Sequence, residues 1–118
     1  MIKRRGELPK QSVHKLKDGQ GTVELQHLFE AENFHGKGRL YALCTIAPGD
    51  SIGCHQHQGE QEAYFILEGE SLYRENGQEH HLKAGDFALC EDGDSHSIAN
   101  TGEADLKFIA LITNTETK

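Results

Sequence analysis

The sequence predicts an all-β domain built as a sandwich or a barrel. Short apolar or alternating segments are separated by turns that recur about every 8–12 residues, the spacing typical of such folds. No long segment keeps the i, i+3, i+4, i+7 spacing of apolar residues that marks an amphipathic helix. The 118 residues suffice for one domain with a single core. We therefore expect one domain over residues 1–118, with its barrel core over about 39–113 and an N-terminal strand or arm within 1–30.

Three segments in the first half of the chain have the composition of strands. GTVELQHLFEA, residues 21–31, alternates in hydropathy and is expected to form a strand with a bulge. RLYALCTIAPGD, residues 39–50, is rich in β-forming residues and ends at the turn signal Pro48-Gly49. EAYFILEGE, residues 62–70, is apolar and is closed by a glycine near its end.

The second half of the chain continues this pattern. In SLYRENGQEHHL, residues 71–82, Asn76-Gly77 is the pair best suited to a tight hairpin because both residues tolerate positive φ. GDFALCEDGDSHSIANTG contains two short strands around a Gly/Asp-rich turn, and ADLKFIALIT closes the chain as a strand. The two polar ends, roughly 1–10 and 114–118, are expected to be mobile.

Composition and charge narrow the classes of partner. The net charge of −7 repels phosphate backbones, so we expect no nucleic-acid partner. No apolar run approaches the roughly 20 residues that span a bilayer, and the basic N-terminus lacks the apolar stretch of a secretory signal. The three cysteines are an odd, widely spaced set without a CxxC pair, which argues against a disulfide framework. These features predict a reduced, cytoplasmic protein.

Two histidines one residue apart open the segment GCHQHQGEQEAYFILEG. Residues i and i+2 of a strand point to the same face, with Cα atoms about 6.6 Å apart, so His55 and His57 can aim both imidazoles at one point. After the turn at Gly59, Glu62 can add a carboxylate to them. Glu60 has the same parity and could replace Glu62, but its expected position in the loop fixes its direction less. The alternative is that these residues are ordinary polar groups on a solvated strand.

A second block, GDFALCEDGDSHSIAN, supplies another histidine. His96 follows a Gly/Asp-rich turn and opens a strand. Together with the first segment it would make a site of three imidazoles and one carboxylate, which suits a transition metal.

These two blocks resemble the motifs of the cupin superfamily, G-x5-H-x-H-x3–4-E-x6-G and G-x5-P-x-G-x2-H-x3-N, and the chain looks like a small single-domain cupin. From Gly49 to Gly69 every fixed position of the first motif is present. From Gly85 to Asn100 the second motif lacks only its proline, which Glu91 replaces. The resemblance implies a double-stranded β-helix, or jelly-roll barrel, with a divalent metal held inside by His55, His57, Glu62 and His96.

Such a metal site would keep one or two coordination positions open, which marks a catalytic or ligand-binding metal. The ligand types suit Mn, Fe, Ni, Cu or Zn and do not choose among them. The first hypothesis is a small metalloenzyme acting on a carboxylate or another oxygenated small molecule, as in the oxalate-decarboxylase-like and dioxygenase-like branches that the resemblance implies. The alternative is a non-catalytic sensor or storage module that holds a metal-bound small molecule. A metal-free barrel acting through dimer contacts is the third interpretation.

Other polar residues are weaker candidates for the site. Glu60 and Tyr64 are the candidates for a general acid or base, although Tyr64 could equally fill the barrel. Arg39 and Arg74 could bind an anionic ligand through a guanidinium–carboxylate pair, or could be solvated. The adjacent histidines of the His80-His81 pair must point to opposite faces of a strand, and we expect them at the surface.

The remaining predictions concern the environment of the cysteines and the apolar residues on the outside of the barrel. Cys54 and Cys90 are expected to be small buried hydrophobes; a thiolate ligand or a thioether crosslink to a tyrosine is the alternative. Phe65 and Leu67 point to the face opposite Glu62. Because small barrels leave apolar faces and sheet edges exposed, we expect a homodimer in which the segment 23–29 covers the neighbour.

Overall fold

Strands dominate the computed structural model, which describes residues 1–116. In chain order the strands are β1 Lys10–His14, β2 Thr22–His27, β3 Gly38–Ile46, β4 Ser51–Gln56, β5 Glu60–Glu68, β6 Glu70–Glu75, β7 Gln78–Lys83, β8 Phe87–Cys90, β9 Ser95–Asn100 and β10 Leu106–Asn114. Helical structure in the described residues is limited to three 3₁₀ turns, at Arg5–Glu7, Leu16–Asp18 and Ala31–Phe34. None of these helices is long and apolar enough to cross a membrane.

The strands form two antiparallel sheets. One sheet has six strands in the order β1-β2-β3-β10-β5-β8, and the other has four in the order β4-β9-β6-β7. Most strands that are hydrogen-bonded to each other are not consecutive in the chain, which is the strand arrangement of a jelly roll. The predicted all-β jelly-roll fold is confirmed.

The core lies between the two sheets. Along β3, β5 and β10 the buried residues occupy alternate positions, so each strand turns one face inward. The four-stranded sheet contributes Ile52, Tyr73 and Ile98 to the same apolar cluster. The largest apolar side chains that the six-stranded sheet buries there are Val23, Ile46, Tyr64, Ile66, Leu106 and Phe108.

The strand predictions hold for the segments that the sequence analysis named. The hairpin between β6 and β7 turns at Asn76 and Gly77, whose φ values are 50° and 83°. This is the positive-φ pair that the Asn-Gly signal predicts. Two strands flank the Gly/Asp-rich turn, as expected. The strand predicted in residues 21–31 ends at His27, and it pairs with β1 and β3 in continuous register, without the expected bulge.

The N-terminal residues differ from the expected mobile arm. Lys10 begins a strand that pairs with β2, and the backbone N–H of His27 donates to the carbonyl of Pro9 at 2.9 Å. Lys3 also reaches Glu30 at 3.2 Å. Strand β1 was missed because its segment, KQSVH, is polar and nearly all exposed, which leaves no alternation of hydropathy to detect. Of the predicted mobile C-terminal end, residues 117–118 lie outside the described residues.

Three strands carry an extra residue relative to a neighbour, and on β5 this residue is Leu67, between the pairs that Ile66 and Glu68 make with β10. On β4, Ile52 pairs with Ile98 and His55 pairs with His96, so three steps along β4 oppose two along β9. On β3, a register shift places Arg39 between the pairs that Gly38 and Leu40 make with β10. Such bulges re-aim side chains locally.

Candidate metal centre

The bulge on β4 brings two histidines to the interior. Ile52 faces the core before the bulge, and His55 and His57 face it afterwards, so the inward positions change from even to odd numbers. Without the extra residue, the inward face of Ile52 would continue to Cys54 and Gln56 instead. Those two residues are exposed. The local irregularity is therefore what places both imidazoles inside the barrel.

Four side chains from three parts of the barrel converge there. His55 lies on β4, His57 immediately follows it, Glu62 lies on β5 and His96 lies on β9. His57, Glu62 and His96 are buried, and His55 is partly buried. The structure thus groups the four residues that the sequence predicted as metal ligands.

The ligand atoms have the spacing of a coordination sphere. The Nε2 atom of His96 lies 3.1 Å from Nε2 of His57 and 3.1 Å from Nε2 of His55. Oε1 of Glu62 lies 3.0 Å from His96 Nε2, 3.1 Å from His57 Nε2 and 3.6 Å from His55 Nε2. Ligand atoms about 2.1 Å from a common ion would be about 3.0–3.4 Å from one another. The donor set therefore fits a transition-metal ion.

The outer nitrogen of each imidazole is held by a hydrogen-bond acceptor. Nδ1–H of His55 donates to the carbonyl of Gly53 at 2.8 Å, and Nδ1–H of His57 donates to the carboxylate of Glu60 at 2.6 Å. The third partner is the hydroxyl of Tyr73, 3.0 Å from His96 Nδ1.

Tyr73 can accept from His96 because its own hydrogen is engaged elsewhere. Its hydroxyl lies 3.3 Å from the carboxylate of Glu75, which only accepts, so the tyrosine O–H donates there. In its neutral form each imidazole then carries its hydrogen on Nδ1 and presents its Nε2 lone pair to the common centre. A metal ion there would satisfy all three lone pairs.

The pKa values of Glu62, His57 and His96 are shifted by burial and by the hydrogen bonds within the centre. Burial raises the pKa of Glu62, but hydrogen bonds from His55, His57 and His96, which donate from Nε2 when they are protonated, outweigh it and hold that pKa far below its usual range. The hydrogen bond with Glu62 raises the pKa of His57 despite burial. Burial lowers the pKa of His96. The centre thus contains an ionised carboxylate and at least one neutral imidazole ready to bind a metal.

Glu60 differs from the expectation in its position. It is the first residue of β5 rather than part of the loop. Its carboxylate binds His57 Nδ1 on the side away from the centre, so it does not replace Glu62 as a ligand. It also accepts two hydrogen bonds from Arg39, both at 2.8 Å. The hydrogen bond from Arg39 is the main reason that the pKa of Glu60 is lowered.

Tyr64 lies in the interior beside the centre. Its ring stacks on His96, with ring centroids 5.0 Å apart and an interplanar angle of 22°, and it also contacts Phe108. Burial raises the pKa of its hydroxyl well above the usual value, so it stays protonated. Its packing shows that it fills the barrel, and its side chain also lines the cavity described next.

A cavity of about 270 Å³ opens onto the centre. His55, His57 and Glu62 form part of its wall, so an ion held there could bind a further molecule. Arg39 also lines the cavity, in agreement with its candidacy for anion binding. Arg74 does not: it is exposed on β6 and pairs with Glu79 at 2.9 Å.

The cysteines and remaining histidines lie outside the metal centre. Cys90 is buried, as expected, and burial raises the pKa of its thiol to about 12, which disfavours a thiolate ligand. Cys54 is exposed, contrary to the expectation that it is buried, because the bulge turns it outward. His80 and His81 are both exposed on β7. Tyr73 and the carbonyl of Gly53 were not predicted as histidine partners, since neither position stands out by residue type or spacing.

Comparison with known proteins identifies the class. The family model of the cupin domain matches residues 42–112, which is more than half of the chain. The match includes all four convergent side chains and strands of both sheets, but not β1 or β2. The chain belongs to the cupin family, as its two motifs indicated.

Two curated proteins and one solved structure are similar to this chain. The oxalate-binding protein of Thermotoga maritima is 43% identical over 112 residues, covering 95% of this chain and 93% of that protein. A crystal structure described as a predicted oxalate decarboxylase from Thermotoga maritima has a TM-score of 0.92 and 42% sequence identity, covering 97% of this chain and 99% of that chain. The HTH-type transcriptional regulator PuuR of Escherichia coli is 39% identical over 72 residues, which are 60% of this chain and 38% of that protein.

Proposed function

We propose that this protein binds a divalent transition metal ion through His55, His57, Glu62 and His96, and binds a small carboxylate ligand at that ion. The observation that carries the proposal is the convergence of three Nε2 atoms and one carboxylate beside a cavity that His55, His57 and Glu62 line. Three nitrogen ligands and one oxygen ligand suit Mn, Fe, Ni, Cu or Zn. When bound, the metal would supply a Lewis acid with open positions for ligand oxygens.

A carboxylate ligand is supported by the cavity and by the relatives. Arg39 lines the cavity, and its two hydrogen bonds to Glu60 use only two of the five N–H donors of the guanidinium, so others remain for a ligand carboxylate. The name of the Thermotoga maritima relative, an oxalate-binding protein, supports the same class of ligand for this chain. The exposed free thiol of Cys54 supports a reducing, cytoplasmic setting for the protein.

Turnover as a decarboxylase or dioxygenase is the second candidate function. It is favoured by the Thermotoga maritima structure described as a predicted oxalate decarboxylase. Such chemistry calls for an acid or base at the ligand. Glu60 and Tyr64 are our two candidates for that acid or base. The carboxylate of Glu60 already accepts hydrogen bonds from Arg39 and His57, and the raised pKa of Tyr64 keeps its hydroxyl protonated, so it is a poor base. We therefore place ligand binding first, in line with a sensor or storage module.

Metal binding is tested by substitution of one ligand. His57→Ala should lose most of the bound metal, whereas His81→Ala, which alters an exposed histidine on another strand, should keep it. Because the ligands come from separate strands, metal should also stabilise the fold, by about 2.7 kcal/mol at about 100 times Kd. The measurements are metal content per chain and melting temperature with and without metal. Metal retained by His57→Ala would refute the assignment.

Ligand binding and turnover are separated by two measurements on the metal-loaded protein. Calorimetric titration with oxalate should show binding that disappears when the metal is removed. Oxalate is then incubated with the protein loaded in turn with Mn, Fe, Ni, Cu or Zn, while formate, carbon dioxide and oxygen uptake are followed. We expect binding without catalytic turnover. Sustained product formation that His57→Ala abolishes would establish the enzyme instead.

A further inference from the structure

The cavity beside the metal centre has a buried floor and an exposed mouth. Its floor includes the ligands His57 and Glu62, both buried. The exposed residues of its lining are Gln11, Lys17 and Arg39, which place the mouth at the edge of the barrel near β1. A molecule that binds at the floor must therefore extend past the wall to reach solvent.

Aliphatic side chains form the wall between floor and mouth. The six that line it are Leu16, Leu25, Leu40, Ile52, Ala110 and Ile112. They come from both sheets and from the turn after β1. Oxalate consists of two carboxylates joined directly, so it has no apolar surface to place against this wall. A cavity of about 270 Å³ is close to the range of about 300 Å³ and above that is typical of small-molecule sites.

The mouth carries two cations. Arg39 occupies the extra position of the β3 bulge, which turns its guanidinium toward Glu60 at the barrel opening. Lys17 lies in the turn after β1 with a left-handed φ of 53°. The turn packs against β4 so closely that a Cβ on Gly53 would clash with the carbonyl of Lys17. Because Arg39 is paired with Glu60, Lys17 supplies the net positive charge at the mouth, and Arg39 adds N–H donors; together they favour an anionic group there.

We propose that the site is built for a dicarboxylate longer than oxalate, with an apolar segment between its two carboxylates. One carboxylate binds at the metal centre, the segment packs against the aliphatic wall, and the second carboxylate meets Lys17 and Arg39 at the mouth. This inference rests on the proposed metal-dependent binding of carboxylates. It assigns the length and polarity of the ligand, which the metal centre alone leaves open.

A series of ligands tests the inference on the metal-loaded protein. Oxalate, succinate and adipate are titrated by calorimetry, and hexanoate serves as adipate without its second carboxylate. Affinity should rise from oxalate to adipate by about fourfold for each methylene group that is buried, the equivalent of about 0.8 kcal/mol. Hexanoate should bind at least several-fold more weakly than adipate, because it has no group for the cations at the mouth.

Two substitutions locate the contacts. Lys17→Ala should weaken adipate several-fold and leave hexanoate unchanged, and Lys83→Ala, at an exposed lysine on β7, should change neither. Leu16→Phe narrows the cavity beside the mouth and should weaken adipate and hexanoate while oxalate keeps its affinity. Leu16 is only partly buried, so this change should leave the fold intact, which retained metal binding would verify.

The outcomes separate the inference from the proposed function. If oxalate binds at least as tightly as succinate and adipate, the inference is overturned while the metal-dependent site stands. If hexanoate binds as tightly as adipate, or if Lys17→Ala does not change the affinity for adipate, the assignment of a second carboxylate at the mouth is wrong. If the longer ligands bind equally well without metal, the proposed function fails, whereas the cavity would still select by length.

Discussion

At the level of single residues, the centre depends on which nitrogen of each imidazole carries the hydrogen. Three different groups fix this choice: the backbone carbonyl of Gly53, the carboxylate of Glu60 and the hydroxyl of Tyr73. Only the contact with Glu60 is charged, and it is the shortest of the three at 2.6 Å. Charged hydrogen bonds are the stronger kind, so Glu60 is the partner whose removal should be felt most.

Glu60→Gln should weaken metal binding by about 10–100-fold, the range typical for the loss of a carboxylate behind a metal-binding histidine. The amide keeps the size of the side chain but loses the charge that holds both Arg39 and His57. The metal dissociation constant of each variant, obtained by competition with a chelator of known affinity, is the measurement.

The matched control is Glu79→Gln. Glu79 also pairs with an arginine, Arg74, at 2.9 Å, but this pair is exposed on β6 and β7, away from the centre. Its loss should leave the metal dissociation constant unchanged. Equal metal affinity in both variants and the parent would show that Glu60 does not position His57.

The site residues differ in how far the sequence reveals them. The four convergent ligands could be predicted, because metal coordination restricts both residue type and spacing. Their outer partners could not, since the carbonyl of Gly53 belongs to the backbone and Tyr73 lies at an unremarkable position in its strand. Glu60 was misplaced because its direction depends on where β5 begins.

At the level of elements, most strands were predictable, but the polar strand β1 and the bulges were not. Alternating hydropathy and the Asn76-Gly77 signal are local features, so β5 and the β6–β7 hairpin could be predicted from the sequence alone. The bulge between Ile52 and His55 depends on pairing with β9, more than 40 residues away in the chain. Register between distant strands is a tertiary property, which a single sequence does not display.

Gly53 sits at the bulge where the turn Leu16–Asp18 packs on β4. A Cβ at this position would meet the backbone carbonyl of Lys17 and the backbone nitrogen of Gly19, neither of which can rotate away. We expect Gly53→Ala to lower the free energy of unfolding by about 1–3 kcal/mol, the usual effect of forcing extra volume into a packed site. Urea denaturation of the metal-free protein measures this change.

Gly6→Ala is the control for the loss of a glycine. A Cβ on Gly6 has nothing within 4 Å, so the substitution should stay within about 1 kcal/mol of the parent. A parent-like urea midpoint for Gly53→Ala would mean that the turn and β4 are not held in close contact.

At the scale of the whole molecule, the outer face of the six-stranded sheet is apolar near one edge. Phe65 on β5 pairs directly across from Phe87 on the edge strand β8, and they are 43% and 60% exposed. Leu67 adds to this face with 42% exposure. Exposed apolar clusters of this kind mark interaction surfaces. Aromatic side chains are also enriched at the centres of protein interfaces.

A second copy of the chain remains our predicted partner for this face, but not through the segment 23–29. Most of that segment belongs to β2, which is already paired with β1 and β3 on its two sides, so it has no free edge to offer a neighbour. A face-to-face pair related by a two-fold axis would instead bring Phe65 and Phe87 of each chain together, because such an axis matches a patch with itself.

Light scattering at micromolar concentration should therefore give twice the mass of one chain. Phe87→Lys should shift the protein toward the monomer, because it brings two like charges, one from each chain, together at the two-fold interface and removes an aromatic contact there. Phe87 is 60% exposed in the single chain, so the substitution should cost the monomer little stability. His81→Lys adds a charge at an exposed position on the edge strand β7 of the other sheet and should leave the dimer intact. A monomeric parent protein would contradict the predicted homodimer. A dimer that persists in Phe87→Lys but not in His81→Lys would place the interface on the four-stranded sheet instead.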